Sequence, residues 1–166
     1  NSIGGIVECR IQGVPAGIGD PVFEKISANL GKAVLSIGAV KGFEIGDGFS
    51  VAESNGATNN DNFYVTEDRA IAKKTNHSGG TLGGMTDGSE IVFRTAFKPT
   101  PSIAQVQETV TTNMEEVEIE ITGRHDPIIV PRAVVVVESM AAITILDALL
   151  LNMTARLDRI CEFYNR

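Results

Sequence analysis

Alternation of apolar and polar residues predicts β-strands along the first three quarters of the chain. In the first, Gly5–Ile11, apolar Val7 and Cys9 alternate with polar residues, as expected of a strand with one buried side. Further strands are predicted at Val40–Ile45, 49–52, 90–97 and 116–121. Because glutamates alternate with apolar residues in the last of these, we expect it to keep one face in water until the chain turns at Gly123.

Helical spacing of apolar residues predicts two helices. Asp20 and Pro21 are typical of an N-cap and a first helical position, and the apolar spacing continues to Leu35. Residues 133–160 contain no glycine or proline, which predicts one helix of roughly seven turns or more. It is apolar nearly all round as far as Leu151, so we expect burial between layers or at a subunit interface.

A membrane span is the alternative for this apolar stretch. Glu138 and Asp147 both interrupt it, and an acidic residue near the middle of a span costs about 2.5–3.5 kcal/mol. We therefore expect no membrane partner. The polar run 53–62 offers little to bury, and it predicts a mobile loop.

Composition narrows the class of protein. The 166 residues are 43% hydrophobic and 21% charged, which suits a single domain over residues 1–166. The net charge of −7 repels phosphate backbones, so we expect no nucleic-acid partner. Cys9 and Cys161 show no metal-ligand spacing, and neither a disulfide framework nor a metal site is indicated. A reducing cytoplasm is the expected compartment.

Three loop motifs could carry chemistry. The glycine loop 79–84 would let backbone N–H groups approach a phosphate or a flat ring, but it matches neither standard nucleotide motif and by itself favours a structural turn. Residues 98–102 place a cation and two hydroxyls on a backbone stiffened by prolines, which suits a polar ligand or simply ends a strand. Arg124, His125 and Asp126 set a cation, a titratable ring and a carboxylate together, or form a turn into the last helix.

Five segments occur together in a specific order: 13–19 (GVPAGIG), 39–49 (AVKGFEIGDGF), 76–80 (NHSGG), 98–100 (KPT) and 124–127 (RHDP). This set resembles the C-terminal half of chorismate synthase. The resemblance runs from about Ser2 to Leu150. It implies an α+β fold, a β-α-β sandwich with antiparallel sheets outside long helices, assembled as a homotetramer.

The resemblance also implies a reaction. In this family, 5-enolpyruvylshikimate 3-phosphate loses phosphate by anti-1,4-elimination to give chorismate, in the shikimate pathway of aromatic amino acid biosynthesis. Reduced FMN is required although no net oxidation occurs. The implied enzyme is therefore a carbon–oxygen lyase acting on phosphate, with reduced FMN as cofactor.

Site residues follow from the same resemblance. The implied flavin contacts are Gly38, Ala39, Gly83, Lys98, Pro99, Thr100, Pro101, Ser102 and Arg124. Arg124 would also meet an anionic group of the substrate, a task for which its planar donors are suited. Asp126 would handle the proton near flavin N5. Gly38 stands where the family usually has Asn, so a backbone contact is expected there.

We expect the chain to be a fragment. It opens at Asn1 without a Met, and it lacks the family's N-terminal Gly-Glu-Ser-His-Gly motif and the Arg-rich second signature. The catalytic histidines of the family lie in that N-terminal half, and neither His77 nor His125 matches them. The resemblance therefore implies a missing N-terminal half as partner and a chain that is inactive by itself.

Two other functions stay open from the sequence. The chain could be a binding or assembly module that associates through its apolar helix, because large apolar patches tend to associate. It could also be a flavin-binding protein unrelated to chorismate.

Overall fold

The computed structural model describes residues 1–165, in which one strand and one helix are followed by eight strands and then by two helices. The strands are β1 (Gly5–Ile11), β2 (Val40–Ile45), β3 (Phe63–Val65), β4 (Ile71–Lys73), β5 (Thr81–Leu82), β6 (Met85–Thr86), β7 (Ile91–Phe97), β8 (Val106–Val110) and β9 (Glu116–Glu120). The helices are α1 (Ile26–Leu35), α2 (Val130–Met153) and α3 (Leu157–Tyr164). The predicted α+β class, with antiparallel sheets and a long C-terminal helix, is confirmed.

A three-stranded antiparallel sheet forms the centre of the fold, in the order β1-β7-β2. Thr95 of β7 lies opposite Val7 on one side and Phe43 on the other. Alternate residues of β7, from Ile91 to Phe97, are buried, because one face of the strand packs on the helices while the other does not. The strands predicted at Gly5–Ile11, Val40–Ile45 and 90–97 are therefore confirmed.

The core lies between this sheet and two helices. α1 buries Ile26, Leu30 and Val34, which recur every fourth residue. α2 buries a stripe at similar spacing, formed by Ala133, Val137, Ala141, Ile145 and Ala148. Because most members of that stripe are small, α2 can lie close to α1 and β1, the elements that it contacts.

Most of the surface of α2 is exposed in this chain. Its uncovered apolar side chains include Val134, Val135, Ile143, Leu146, Leu150 and Leu151. By length and composition α2 could also cross a membrane, but a core helix meets the same criteria. Within the described residues, burial of α2 between layers is thus confirmed for one stripe, and burial of its other faces at a subunit interface stays a prediction.

The first helix begins later than predicted. Val22–Glu24 form a 3-10 turn after Pro21, and α1 begins only at Ile26. Val22 has a left-handed backbone (φ 63°), which interrupts α-helical geometry. The N–H of Ile26 donates to the carbonyl of Gly84, so a tertiary contact caps the helix in place of Asp20.

The strand predicted at 49–52 is wrong. Gly48–Glu53 form a 3-10 helix, and Phe49 is 86% exposed. Gly46 and Gly48 both have positive φ, so the chain turns away from the sheet as soon as β2 ends. Apolar residues in this segment therefore do not mark a buried strand.

The last predicted helix is divided in two. α2 begins at Val130 with Pro131 in its first turn and ends at Met153, and α3 follows after Arg156. The hydroxyl of Thr154 donates to the carbonyl of Leu151, and Arg156 is extended. Residues 154–156 thus end the helix although they contain neither glycine nor proline.

The strand at 116–121 forms differently from its prediction. β9 ends at Glu120, and among the described residues it pairs with β8 alone, outside the central sheet. All five of its residues are exposed, so it has two wet faces where one was expected. Glu108 lies directly opposite Glu118, and like charges in that position weaken a strand pair.

The core position of β7 gives a test of the fold. Phe93 is 0% exposed at the centre of the sheet, and Phe93→Ala should lower the free energy of unfolding by about 3–5 kcal/mol because it leaves a cavity. Urea denaturation measures this change. Phe49→Ala, the control at an exposed position, should stay within about 0.5 kcal/mol of the unaltered chain; equal losses in the two variants would contradict the packing.

Candidate functional site

The candidate site begins where β7 ends. The N–H of Lys98 donates to the carbonyl of Ala39 at 2.9 Å, and the preceding pair joins Val40 to Phe97. The turn that contains Gly38 and Ala39 therefore lies beside the first residue of segment 98–102. Strand pairing alone brings two of the predicted contact segments together.

The N-terminal residues add the third segment to the same edge. The hydroxyl of Ser2 donates to the carbonyl of Thr100 at 2.6 Å, and the N–H of Ile3 donates to the carbonyl of Pro127 at 2.9 Å. A Cβ on Gly4 would stand 2.4 Å from the carbonyl oxygen of Phe97, so only glycine allows this approach. Residues 1–4 thus join the 98–102 segment to the loop of Asp126.

The backbone at Ala39 is left-handed. Its φ is 72°, which is uncommon for a residue with a side chain and is often associated with functional sites. The preceding Gly38 faces open space, since nothing lies within 4 Å of the position a Cβ would take. A flat ligand could therefore approach the backbone at this turn closely.

Three charged residues belong to the segments that meet at this edge. Lys98 and Arg124 are exposed, and within residues 1–165 neither forms an ion pair. Asp126 accepts a hydrogen bond from Arg132 at 2.8 Å. An exposed ammonium at the end of β7 and an exposed guanidinium in the loop of Asp126 are groups that suit an anionic ligand.

Gly83 lies apart from the other predicted contacts. It forms the tip of the β5–β6 hairpin with Gly84, and the carbonyl of Gly84 accepts from Ile26 at the start of α1. Gly38 and Ala39 follow the other end of this ten-residue helix, which is about 15 Å long. Only an extended ligand could touch both ends.

Comparison with known proteins identifies the family. A family model described as chorismate synthase matches residues 1–150. The chain belongs to the chorismate synthase family. The chorismate synthase of Agathobacter rectalis is 69% identical over all 166 residues, and that of Lachnospira eligens is 61% identical. The chain spans 45% of the length of each of these relatives.

A solved structure supports the same relationship. It is described as a crystal structure of chorismate synthase, and it matches 99% of this chain and 42% of its own chain with a TM-score of 0.74 and 31% sequence identity. The resemblance drawn from the loop motifs is therefore confirmed at the level of family and fold.

The glycine loop has a structural role at two of its positions. A Cβ on Gly79 would stand 2.4 Å from the backbone nitrogen of Gly46, and one on Gly80 would stand 2.5 Å from the carbonyl of Glu90. These two glycines are required for packing, as the structural alternative predicted. Gly83 has open space around it, so it remains available for a ligand.

A buried ionic cluster was not predicted. The ammonium of Lys73 lies 2.7 Å from a carboxylate oxygen of Asp87 and 3.2 Å from one of Asp61. The side chains of Lys73, Asp61 and Asp87 are 4%, 9% and 6% exposed. Asp61 belongs to the polar run that was predicted to be a mobile loop, and no spacing in the sequence indicates that these three residues meet.

Hydrogen bonds stabilise the charged forms of both carboxylates. Burial by itself would raise the pKa of Asp61, but bonds from Ser78 and from the N–H of His77 outweigh burial and hold that pKa well below its ordinary value. Burial would also raise the pKa of Asp87, but the hydrogen bond from Lys73 and further bonds outweigh it and lower the pKa. The folded state therefore favours the ionised form of both side chains.

A histidine–carboxylate pair was also missed. Nδ1 of His77 lies 2.6 Å from the Asp47 carboxylate, and the N–H of Asp47 donates to the carbonyl of His77. The contact joins the turn after β2 to segment 76–80. A separation of thirty residues gave no sequence signal for this pair.

The depressed carboxyl pKa values predict acid sensitivity. A group with a lowered folded pKa contributes stability above its unfolded value, here 3.8, and the contribution is lost as the pH falls below it. Urea unfolding measured between pH 7 and pH 2 should show this loss. Asp61→Asn should lower stability at pH 7 and flatten the acid dependence, whereas the exposed control Asp68→Asn should change neither. An unchanged acid slope in Asp61→Asn would contradict the assignment.

Proposed function

We propose that this chain forms the flavin-binding part of a chorismate synthase. The complete enzyme would convert 5-enolpyruvylshikimate 3-phosphate to chorismate and phosphate by anti-1,4-elimination, as a cytoplasmic carbon–oxygen lyase of aromatic amino acid biosynthesis. Family membership supports this reaction. The observation that carries the proposal for this chain is the meeting of residues 38–39, 98–102 and 126–127 at one edge of the sheet.

The residues of this edge fit reduced FMN. Lys98 and Arg124 supply free cations for a phosphate group, and open space at Gly38 admits a flat ring. The proposed contacts are Gly38, Ala39, Gly83, Lys98, Pro99, Thr100, Pro101, Ser102 and Arg124. When bound, reduced FMN supplies electron density that assists the loss of phosphate. The protein's task is to hold the cofactor against the substrate in one relative orientation.

Two side chains would act on the reacting groups. We assign proton handling near flavin N5 to Asp126, whose carboxylate is oriented by Arg132 at 2.8 Å and is only partly buried. Arg124 would bind an anionic group of the substrate through its planar donors. Because Asp126 lies two residues after Arg124, one loop would position both the substrate and the proton acceptor.

The remaining part of the active site would come from elsewhere. His77 is paired with Asp47, and the hydrogen-bond partner of His125 within residues 1–165 is the carbonyl of Ile121. We therefore propose that an N-terminal half supplies the catalytic histidines and that this chain is inactive by itself. The exposed apolar face of α2 supports assembly with the N-terminal half and with further copies of the enzyme, in a homotetramer.

A chimaeric enzyme tests the proposed function. This chain would replace the matching segment of the Agathobacter rectalis chorismate synthase, and phosphate release from 5-enolpyruvylshikimate 3-phosphate would be measured anaerobically with reduced FMN. We expect turnover by the chimaera and none by the 166-residue chain. An inactive chimaera beside an active native relative would count against the proposal, and turnover by the chain alone would refute the location of the histidines.

The role of Asp126 gives a second prediction. In the chimaera, Asp126→Asn should lower turnover by about 100-fold or more, because general acid–base groups contribute about that much. The pH–rate profile should lose one of its limbs. Glu120→Gln, an exposed carboxylate in the preceding strand, serves as the control and should leave both unchanged. A pH–rate profile of Asp126→Asn that keeps both limbs would contradict the assignment of proton handling to this residue.

A further inference from the structure

The β5–β6 hairpin, which carries Gly83, is held from two sides. The buried Thr86 of β6 exchanges hydrogen bonds with the backbone of segment 15–18, and the base of the hairpin is bound by the buried ammonium of Lys73. The hairpin is closed by a hydrogen bond from the N–H of Asp87 to the carbonyl of Gly80. The ammonium of Lys73 binds the Asp87 carboxylate at 2.7 Å. One side of the hairpin base is therefore held by an ion pair to a residue that lies outside the hairpin.

The other side of the base is held through an amide. The side-chain oxygen of Asn76 accepts from Lys73 at 3.2 Å and from the N–H of Gly80 at 2.8 Å. The amide group of Asn76 also donates to the carbonyl of Glu90 at 2.8 Å, just before β7. Lys73 thus connects both sides of the hairpin base to the start of the central strand.

The position of the hairpin tip depends on contacts outside the hairpin, and the Lys73 contacts are those at its base. Each of its strands has only two residues, and strand pairs this short have little stability of their own. Gly83 and Gly84 both have positive φ, as a two-residue turn with a right-handed twist requires. Gly84 is held by Ile26, while Gly83 faces open space. The anchors fix where Gly83 stands without covering it.

The ionic contacts of Lys73 indicate that this residue positions the hairpin. Burying one ammonium and two carboxylates is costly, and apolar residues often stabilise a fold as well or better. The ionic cluster, in contrast, fixes a geometry through directional bonds, because each group must meet particular partners. We propose that Lys73 is a positioning residue that holds Gly83 in the flavin site. The inference rests on the proposed function and adds a residue that does not itself contact the ligand.

Steady-state kinetics in the chimaeric enzyme test this role. Lys73→Met should raise the KM for reduced FMN by about tenfold or more, because a small displacement of a binding group has a large effect on affinity. At saturating FMN, kcat should stay within about twofold of the unaltered chimaera. Lys74→Met, the neighbouring exposed lysine, is the matched control and should change neither constant.

The pattern of constants separates positioning from folding. A merely structural role would lower kcat per mole of protein by reducing the folded fraction, with an unchanged KM. If Lys73→Met does not fold, Asp87→Asn decides, since it keeps the side-chain size but removes one charge, and it should raise the KM for FMN in the same direction. An unchanged KM in the folded variants would overturn the inference while leaving the proposed function intact. If the unaltered chimaera shows no turnover, both the proposed function and this inference are contradicted, before any variant is compared.

Discussion

The pairing of β7 along both of its edges is the constraint on which the rest of the structure depends. β1 and β2 bond to it antiparallel, and its buried residues meet the two helices. The glycine loop is hydrogen-bonded to β7 near the start of the strand. Lys98, which follows the last residue of β7, is hydrogen-bonded to Ala39. Both parts of the proposed flavin site are therefore placed by the register of one strand. A slip of one residue would turn Phe93 away from the core and separate Lys98 from Ala39.

The sequence predicted those elements whose burial pattern is periodic. Apolar and polar residues alternate in β1 and β7, and α2 has a long apolar run, so the local pattern carried enough information. The errors occurred where tertiary contacts decide. Phe49 is apolar but lies in an exposed 3-10 helix after two glycine turns. α2 ends near Asn152, whose side chain donates to the carbonyl of Gly17, a contact that no local pattern reveals.

The candidate site was predictable in a different way. The loops at 98–102 and 124–127 were found from their motifs and order, and the structure brings Lys98, Thr100 and Pro127 to one edge. The cluster around Lys73 could not be found from motifs, because its partners come from separate loops that meet only after folding. Polar residues in a loop ordinarily indicate solvent exposure, and here the same residue types form a buried network. Buried charge of this kind is the property that sequence patterns represent least well.

The exposed ribbon of β8 and β9 has a consequence for the behaviour of the protein at high concentration. A two-stranded ribbon outside the main sheet leaves two open edges, each able to pair with another copy. Glu108, Glu116, Glu118 and Glu120 share one face of this ribbon, so a second ribbon stacked on that face would meet four like charges. The repulsion that weakens the hairpin internally thus also opposes its aggregation into larger sheets.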